Sequence, residues 1–229
     1  MTQQTKSDRT RQRILDAAAV CFSESGYSGV TLRDIADRAN MKAGSLYYHF
    51  HSKENLVEEV LCVGVFNAFE STRRAVEALG QKADPVEKLR AAMAEHLKTI
   101  LSESRYASAN LRILGQVSKE IRERHLEQQR EYGRFWAALF RKAVASGQLR
   151  KDLDLSAVRM LVLGALNWSV EWYNSKGRTP AEIADHVSAI VFEGLLVGRQ
   201  QSRLATTSAG TDCAPDDASD ATVSAVKFP

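Results

Sequence analysis

The chain has 229 residues, of which 44% are hydrophobic and 26% are charged, and its formal net charge is +3 at pH 7. So large an apolar share excludes an intrinsically disordered chain, and so small a charge does not by itself indicate a nucleic-acid partner. No apolar run reaches the roughly 18 residues that span a bilayer, and the polar, basic first residues do not resemble a signal peptide, so we expect a cytoplasmic protein without a membrane partner.

Apolar residues recur every three or four positions almost throughout, and the chain contains only four prolines. This periodicity predicts an all-α protein of about nine helices. The first helix is predicted over residues 9–25, with Ser7 as its N-cap and Gly26 as its stop signal. A second helix of barely two turns begins with Thr31 and Asp34, whose spacing is that of a capping box.

A third short helix is predicted over residues 45–49, and Ser52 is placed to cap a long fourth helix that ends near Leu79. Capping residues or proline then mark the start of most later helices. These are predicted over residues 85–102, 108–117, 119–146, 155–174 and 180–201. Residues 202–229 change to small and polar types that cannot bury enough apolar surface, so we expect a disordered tail.

The cysteines and histidines do not form a metal-binding pattern. Cys21, Cys62 and Cys213 are odd in number and far apart, so we expect reduced thiols rather than a zinc site or a disulfide. His49 and His51 lie close together, but no second pair of ligand residues is spaced to join them. We therefore expect neither a metal nor a cofactor.

Two short helices joined by a tight turn follow a helix and a basic N-terminal arm. This arrangement allows a helix-turn-helix to lay its second short helix in the major groove of DNA. Small residues at the start of that helix permit a close approach to phosphate, and hydroxyl, imidazole and ammonium groups follow. These candidates for DNA contacts are Gly44, Ser45, Tyr47, Tyr48, His49 and Lys53. Leu46 and Phe50 share one helix face, and we expect both in the core.

Three short motifs mark this region. Residues 22–27 read FSESGY, residues 31–36 read TLRDIA, and residues 44–54 read GSLYYHFHSKE. Together they resemble the N-terminal DNA-binding domain of the TetR/AcrR family of bacterial repressors. The resemblance covers residues 8 to about 57, and the helical remainder fits the family's variable ligand-binding domain. Asn40 stands where many members have glycine, but asparagine also tolerates the left-handed conformation of the turn.

The resemblance implies particular DNA contacts. Thr31 and Arg33, at the start of the second helix, would touch phosphates, and Tyr48 and Lys53 would hold the flanking backbone. The residues implied to face the groove are Lys42, Ala43, Ser45, Tyr47 and His49. Because the third helix lacks arginine, asparagine and glutamine for bidentate base contacts, we expect DNA deformability to contribute more to specificity.

The remaining helices fit the ligand-gated homodimer that the resemblance implies. We expect a helix-turn-helix domain over residues 1–55, a ligand-binding and dimerisation domain over 56–201, and the tail over 202–229. Gly164 and Gly194 place small residues on the apolar last two long helices, which favours dimerisation through these helices. The alternative is that these helices pack only within one subunit.

Aromatic and polar residues of the central and penultimate helices are candidates for an effector site, although aromatics at helical spacing are usually core. The candidates are Phe66, Met93, His96, Arg112, Trp136, Trp168, Trp172 and Tyr173. Residues 167–173 and 177–184 resemble the C-terminal domain of family members that sense acyl-CoA thioesters. This resemblance implies a small, mostly apolar effector such as an acyl-CoA, with a free hydrophobic compound or drug as the alternative.

The expected function is that of a transcriptional repressor, which binds a palindromic DNA operator as a homodimer and leaves it when the effector binds. An activator, or a non-specific DNA-binding protein without a ligand, is the alternative. An enzyme is disfavoured, because the sequence lacks a nucleophile elbow, a Gly-rich phosphate loop and metal-ligand spacings.

Overall fold

The computed structural model describes residues 5–102, 104–174 and 176–195. Within these residues the fold is all-α, with nine helices and no strand, which confirms the predicted class. The helices are α1 (Lys6–Ser25), α2 (Leu32–Arg38), α3 (Ala43–His49), α4 (Lys53–Ala78), α5 (Pro85–Ser102), α6 (Ser104–Ile113), α7 (Lys119–Ala145), α8 (Leu155–Trp172) and α9 (Pro180–Leu195). No helix in the described ranges is long and apolar enough to cross a membrane. The predicted tail lies outside the described residues.

Side-chain caps set the starts of the first two helices. The Thr5 hydroxyl accepts from the Asp8 N–H at 3.1 Å, and the Asp8 carboxylate accepts from the Thr5 N–H at 3.0 Å. The predicted N-cap Ser7 is therefore wrong, because this reciprocal pair satisfies two backbone N–H groups and fixes the start of α1 further upstream. Thr31 and Asp34 form the predicted capping box of α2, with corresponding distances of 3.2 and 2.8 Å.

Two residues with left-handed backbone shape the turns around α2. Gly26 ends α1 with a φ of 71°, as the sequence predicts. Asn40 has a φ of 51° in the turn between α2 and α3. Asparagine tolerates this conformation because its short polar side chain can hydrogen-bond locally. The tight turn of the helix-turn-helix is therefore kept without a glycine.

α6 starts and ends earlier than its predicted range of residues 108–117. Its start moves upstream because the buried Tyr106 extends the apolar stripe of the helix. Its end is set by the side-chain amide of Gln116, whose N–H donates to the Arg112 backbone carbonyl at 3.0 Å and whose Oε1 accepts from the Tyr27 N–H at 2.8 Å. These two bonds hold the residues after α6 in a turn against the end of α1.

Two clusters of buried side chains form the interior. The head core joins α1, α2, α3, the first half of α4 and α6, and it contains Phe22, Phe50 and Tyr106. The body core joins the second half of α4 with α5, α7, α8 and α9, and Trp136 is its largest fully buried side chain. Because α4 belongs to both cores and α6 packs in the head core, the domain division after residue 55 stays a prediction.

α6 contacts both α1 and α4 closely. The Tyr106 hydroxyl donates to Asp16 Oδ1 at 2.8 Å, and the Arg105 guanidinium lies 3.1 Å from the same oxygen. Gly64 lets α4 approach α6, because a Cβ at this position would lie 2.7 Å from Asn110 Nδ2. A shift of α6 would therefore act on α1 and α4 together.

Candidate nucleic-acid interface and interior polar cluster

α3 presents aromatic side chains outward because two other side chains anchor it. Leu46 and Phe50 are buried, which confirms the predicted core position of this pair. The intervening Tyr47 and Tyr48 are 52% and 80% exposed. Two exposed tyrosines offer ring faces and hydroxyl groups to a partner while the anchored face of the helix stays packed.

A groove of about 660 Å³ lies between α2 and the start of α3. Arg33 and Asp37 line it from α2, Lys42 and Ala43 line it at the start of α3, and Asn40 lies in the turn between them. Three of the predicted DNA contacts, Arg33, Lys42 and Ala43, are therefore brought together. The two cations give the groove a means of attracting phosphate.

The other predicted contacts of α2 and α3 differ in how accessible they are. Gly44 and Ser45 are exposed, and His49 is half-buried. Thr31 is exposed, but its hydroxyl and its N–H already bond the Asp34 carboxylate at 2.7 and 2.8 Å. A phosphate at Thr31 would therefore compete with this cap.

Lys53 is held at the start of α4 by an aromatic ring. Its Nζ lies 4.1 Å from the centroid of the Tyr27 ring, which is a cation–π contact, and burial lowers the pKa of the ammonium group. The Tyr27 hydroxyl in turn donates to Glu54 at 2.9 Å. Burial raises the pKa of this hydroxyl to about 12. The ammonium group of Lys53 therefore has a defined position beside α3.

Arg11 anchors the end of α3 and was not among the predicted contacts. Its guanidinium donates to the His49 carbonyl at 3.0 Å and to both carboxylate oxygens of Glu59 on α4. It also lies 4.3 Å from the centroid of the Phe50 ring. One side chain of α1 thus joins α3 to α4. The sequence shows Arg11 as one member of a basic arm, and no local pattern pairs it with a residue 48 positions away.

Four polar side chains meet inside the body core, one from each of α4, α5, α7 and α8. They are Thr72, His96, Tyr132 and Asn167, and we call them the interior polar cluster. The Tyr132 hydroxyl lies 2.8 Å from Thr72 Oγ1 and 2.9 Å from His96 Nδ1. His96 Nε2 lies 3.1 Å from Asn167 Oδ1. The first three residues are buried, whereas Asn167 is exposed.

Aromatic rings surround the hydroxyl-bearing centre of this cluster. The centroids of the Phe69, Trp136 and Phe135 rings lie 5.2, 6.0 and 6.3 Å from that of Tyr132. The His96 ring lies 5.9 Å from Trp136. In such an apolar environment hydrogen bonds are strong, and a polar atom without a partner is costly.

The predicted effector residues separate into two groups. Met93, His96 and Trp136 are buried in the body core. The other five lie at the surface or only partly buried; Phe66, Arg112, Trp168 and Trp172 are exposed, and Tyr173 is half-buried. The structure therefore buries three of the eight in the body core and packs Tyr173 against it, whereas the other four are exposed.

Thr72, Tyr132 and Asn167 were not among the predicted effector residues. Thr72 lies between Ala68 and Val76 on the buried stripe of α4. A hydroxyl on a stripe of apolar residues could have indicated a buried polar site from the sequence. Tyr132 and Asn167 carry no comparable signal, because they lie 36 and 71 positions from the histidine that they contact. Their pairing becomes visible only in the folded chain.

Two histidines are kept neutral by burial. Burial lowers the pKa of His96 to about 4, and it lowers the pKa of His125 on α7 to about 4 as well. An unfolded histidine has a pKa near 6.5, so the unfolded chain binds more protons than the folded chain once the pH falls toward that value. The stabilisation that depends on the two neutral histidines should therefore be fully present above about pH 6.5, and the free energy of unfolding should decrease as the pH falls toward 4.

For His96 alone, we expect the free energy of unfolding to decrease by about 2 kcal/mol between about pH 7 and pH 5, as follows from the two pKa values. Urea denaturation at the two pH values measures this change. The variant His96→Gln, which has no titrating ring, should lose about 2 kcal/mol less over the same interval. Equal losses in the two proteins would contradict a buried, neutral His96.

The described residues include no group of three or more His, Cys, Asp or Glu side chains placed to hold a metal ion. Cys21 is buried and Cys62 is half-buried, and both are free thiols. Cys213 lies outside the described residues. The absence of a metal site in the whole chain stays a prediction.

Two protein families match successive parts of the chain. Residues 14–60 match the family described as bacterial regulatory proteins, tetR family. Residues 82–195 match the family described as tetracyclin repressor-like, C-terminal domain. The first match contains α2, α3 and the groove between them, and the second contains α5 to α9.

Known regulators extend the similarity over most of the chain. The HTH-type transcriptional repressor KstR2 of Mycolicibacterium smegmatis is 32% identical over 192 residues, which are 81% of this chain and 90% of that protein. The structure of the ketosteroid transcriptional regulator KstR2 of Mycobacterium tuberculosis is 26% identical, with a TM-score of 0.73, and covers 86% of this chain and 99% of that one. The structure of AibR in complex with isovaleryl coenzyme A and operator DNA is 27% identical, with a TM-score of 0.68, and covers 80% and 98%.

Proposed function

The chain belongs to the TetR family of bacterial regulatory proteins, and we propose that it is a transcriptional repressor that releases its operator when a small effector binds. The operator is a palindrome and the repressor a homodimer in this proposal. Proteins of this family are DNA-binding regulators rather than enzymes. A cytoplasmic location is part of the proposal, because the target is operator DNA.

The observation that carries the DNA-binding part is the outward face of α3. Tyr47 and Tyr48 are exposed on a helix that is anchored from behind. Arg33 and Lys42 line the groove beside it. Cations at the edge of an exposed recognition helix support contacts to phosphates, and polar side chains along the helix support contacts to base edges.

Exposed apolar faces on α8 and α9 support the homodimer. Leu161 on α8 is 73% exposed and Ile190 on α9 is 76% exposed, and large exposed apolar surfaces typically mark protein interfaces. Open space surrounds the position where a Cβ would stand at Gly164 and at Gly194, so the helices of a second subunit could come close. A two-fold dimer would place two α3 helices about 34–36 Å apart, which is one turn of DNA.

We propose an acyl-CoA thioester as the effector. The structure of AibR contains isovaleryl coenzyme A, and that protein resembles this chain over most of both lengths. In this chain the interior polar cluster supplies a few polar groups within an apolar core, as sites for mostly apolar ligands do. The exposed Trp168, Trp172 and Arg112 are proposed to contact the CoA part by stacking and by charge. A free hydrophobic compound is the alternative.

Binding to the DNA upstream of its own gene, followed by titration of thioesters, tests this proposal. The purified protein should bind that fragment at least about 1,000-fold more tightly than a random fragment of equal length. A thioester should then release the DNA, while the corresponding free acid leaves it bound. Equal affinity for random DNA would contradict a specific repressor, and release by free acids would favour the alternative effector.

A further inference from the structure

The interior polar cluster links four helices within an otherwise apolar core. Apolar side chains of similar volume would pack α4, α5, α7 and α8 together without any hydrogen bond to satisfy. Helix packing alone therefore does not require the cluster. Its hydrogen-bonding chemistry points to a recognition role.

The four residues of the cluster can satisfy one another. Thr72 Oγ1 lies 2.6 Å from the Ala68 carbonyl, to which it donates, and 2.8 Å from the Tyr132 hydroxyl. A neutral His96 carries one ring proton, either on Nδ1 facing Tyr132 or on Nε2 facing Asn167. The amide of Asn167 can accept from Nε2–H or donate to the bare nitrogen, according to its orientation. The proton on Nδ1 closes the chain of hydrogen bonds, because Tyr132 then accepts from His96 and donates to Thr72. With the proton on Nε2, Tyr132 donates to Nδ1, and Thr72 completes the chain only by donating to Tyr132 instead of to the Ala68 carbonyl.

Trp136 adds a hydrogen-bond donor that the four residues of the cluster do not satisfy. Its side chain is fully buried, and its indole N–H has no hydrogen-bond partner among the described residues. Burial raises the pKa of the Tyr132 hydroxyl, and the Trp136 N–H that faces it acts in the opposite direction, but the two groups make no hydrogen bond of normal geometry. A buried N–H without a partner costs free energy, and the group that would complement it is an acceptor.

We propose that the Trp136 N–H, together with Tyr132 and His96, forms the subsite that takes one uncharged oxygen acceptor of the effector, such as a thioester or ketone carbonyl. This inference rests on the proposed function and names the chemistry by which the core recognises the effector. A carbonyl oxygen has two lone pairs, so it can accept from Trp136 and from a second donor of the cluster. The effector thereby supplies the hydrogen-bond acceptor that the Trp136 N–H lacks in the free protein.

A carboxylate fits this subsite poorly. The groups that hydrogen-bond within the cluster are hydroxyl, amide, carbonyl and imidazole, and burial holds the pKa of His96 at about 4, so the imidazole is neutral at pH 7. A carboxylate would lose its water without gaining a cation, and such a transfer is far more costly than that of a neutral carbonyl. The subsite should therefore distinguish a thioester from the acid that hydrolysis of the thioester releases.

The exposed end of the cluster indicates the direction of access. Asn167 on α8 is exposed, whereas its partner His96 is buried. A ligand that enters beside α8 would displace the Asn167 amide from His96 Nε2 and then reach the donors behind it. The neighbouring Trp168 is exposed on the same helix, where the bulky part of a CoA thioester would remain.

Matched thioester and thioether ligands, which differ only at the carbonyl, test the subsite. The probes are isovaleryl-CoA, octanoyl-CoA and palmitoyl-CoA, each with its S-alkyl thioether, which lacks the carbonyl, and its free acid. Calorimetric titration of the full-length wild-type protein should give about tenfold tighter binding for the thioester than for the thioether, as one hydrogen bond to an uncharged group would give. The free acid should bind more weakly than either.

The variant Tyr132→Phe removes the hydroxyl and keeps the ring, and Trp136→Phe removes the indole N–H and replaces the indole with a smaller phenyl ring. In both, the preference for thioester over thioether should fall to about twofold or less. Ser71→Ala is the matched control, since it removes a partly buried hydroxyl that bonds Thr99 at 2.7 Å outside the cluster. It should keep the wild-type preference.

The possible results separate the subsite from the proposed function. If thioester and thioether bind equally to the wild type and both release the operator, the repressor stands and the subsite is wrong. If the variants weaken both ligands equally, the polar groups only shape the core, which also overturns the subsite. If no probe binds, both the thioester effector and the subsite are wrong. If the protein does not bind the operator, the proposed function itself is wrong.

Discussion

Replacing Lys42 by glutamate is expected to weaken operator binding by roughly 100-fold at physiological salt, because a phosphate-facing cation becomes an anion. Lys42 is exposed in the groove between α2 and α3. It is the N-cap of α3 but its side chain makes no capping hydrogen bond, and an acidic side chain at a helix start is favourable. The variant should therefore fold like the wild type, and the loss of affinity should come from the interface.

Fluorescence anisotropy with the upstream DNA fragment at several salt concentrations measures this effect. The slope of log affinity against log salt should decrease by about 1 or 2, since one phosphate contact is lost and one repulsion is gained. Lys98→Glu makes the same charge change on α5, where the side chain is 66% exposed and pairs with Glu95. Equal losses for the two variants would mean that net charge matters and that α3 does not enter the groove of DNA.

The helix-turn-helix was predictable because its determinants are local. The capping box of Thr31 and Asp34 lies within four residues, and the left-handed Asn40 is a single-residue property. Leu46 and Phe50 are one helical turn apart, so their shared burial also follows from spacing. The N-cap of α1 was missed because Thr5 and Ser7 are both acceptable caps, and only the Asp8 carboxylate decides between them.

The contacts that hold the site together were less predictable because they join distant helices. Arg11 and Glu59 are 48 positions apart, and Thr72 and Tyr132 are 60 positions apart. Helical periodicity gives the face on which each residue lies, but it does not give the helix that packs against that face. The sequence therefore identified His96 and Trp136 as candidates without showing that the Tyr132 hydroxyl lies between Thr72 and His96.

The predicted effector residues on α8 show a different limit. α8 carries apolar residues on several faces, so hydrophobic spacing does not show which face turns inward. Tryptophan is a residue type that often packs in a core, yet Trp168 and Trp172 are both exposed, whereas Leu166 is buried. An apolar helix that is exposed on one side is what a helix at a subunit interface looks like before its partner is added.

Replacing Leu161 by glutamate is accordingly expected to produce the largest effect, namely a monomer that binds the operator roughly 1,000-fold more weakly. Leu161 is 73% exposed on α8, so the charge costs little in the isolated subunit. In a dimer through α8 and α9, the same charge would be buried against apolar side chains without a partner. A monomer reaches only one half-site, and it loses the phosphate and base contacts of the second.

Sedimentation at about 1 and 10 µM distinguishes monomer from dimer in each variant, and operator binding is measured on the same samples. Leu126→Glu on α7 is the control, because this leucine is also exposed but lies outside α8 and α9. It should remain a dimer and keep its affinity. A dimeric Leu161→Glu variant with normal operator binding would place the subunit interface elsewhere.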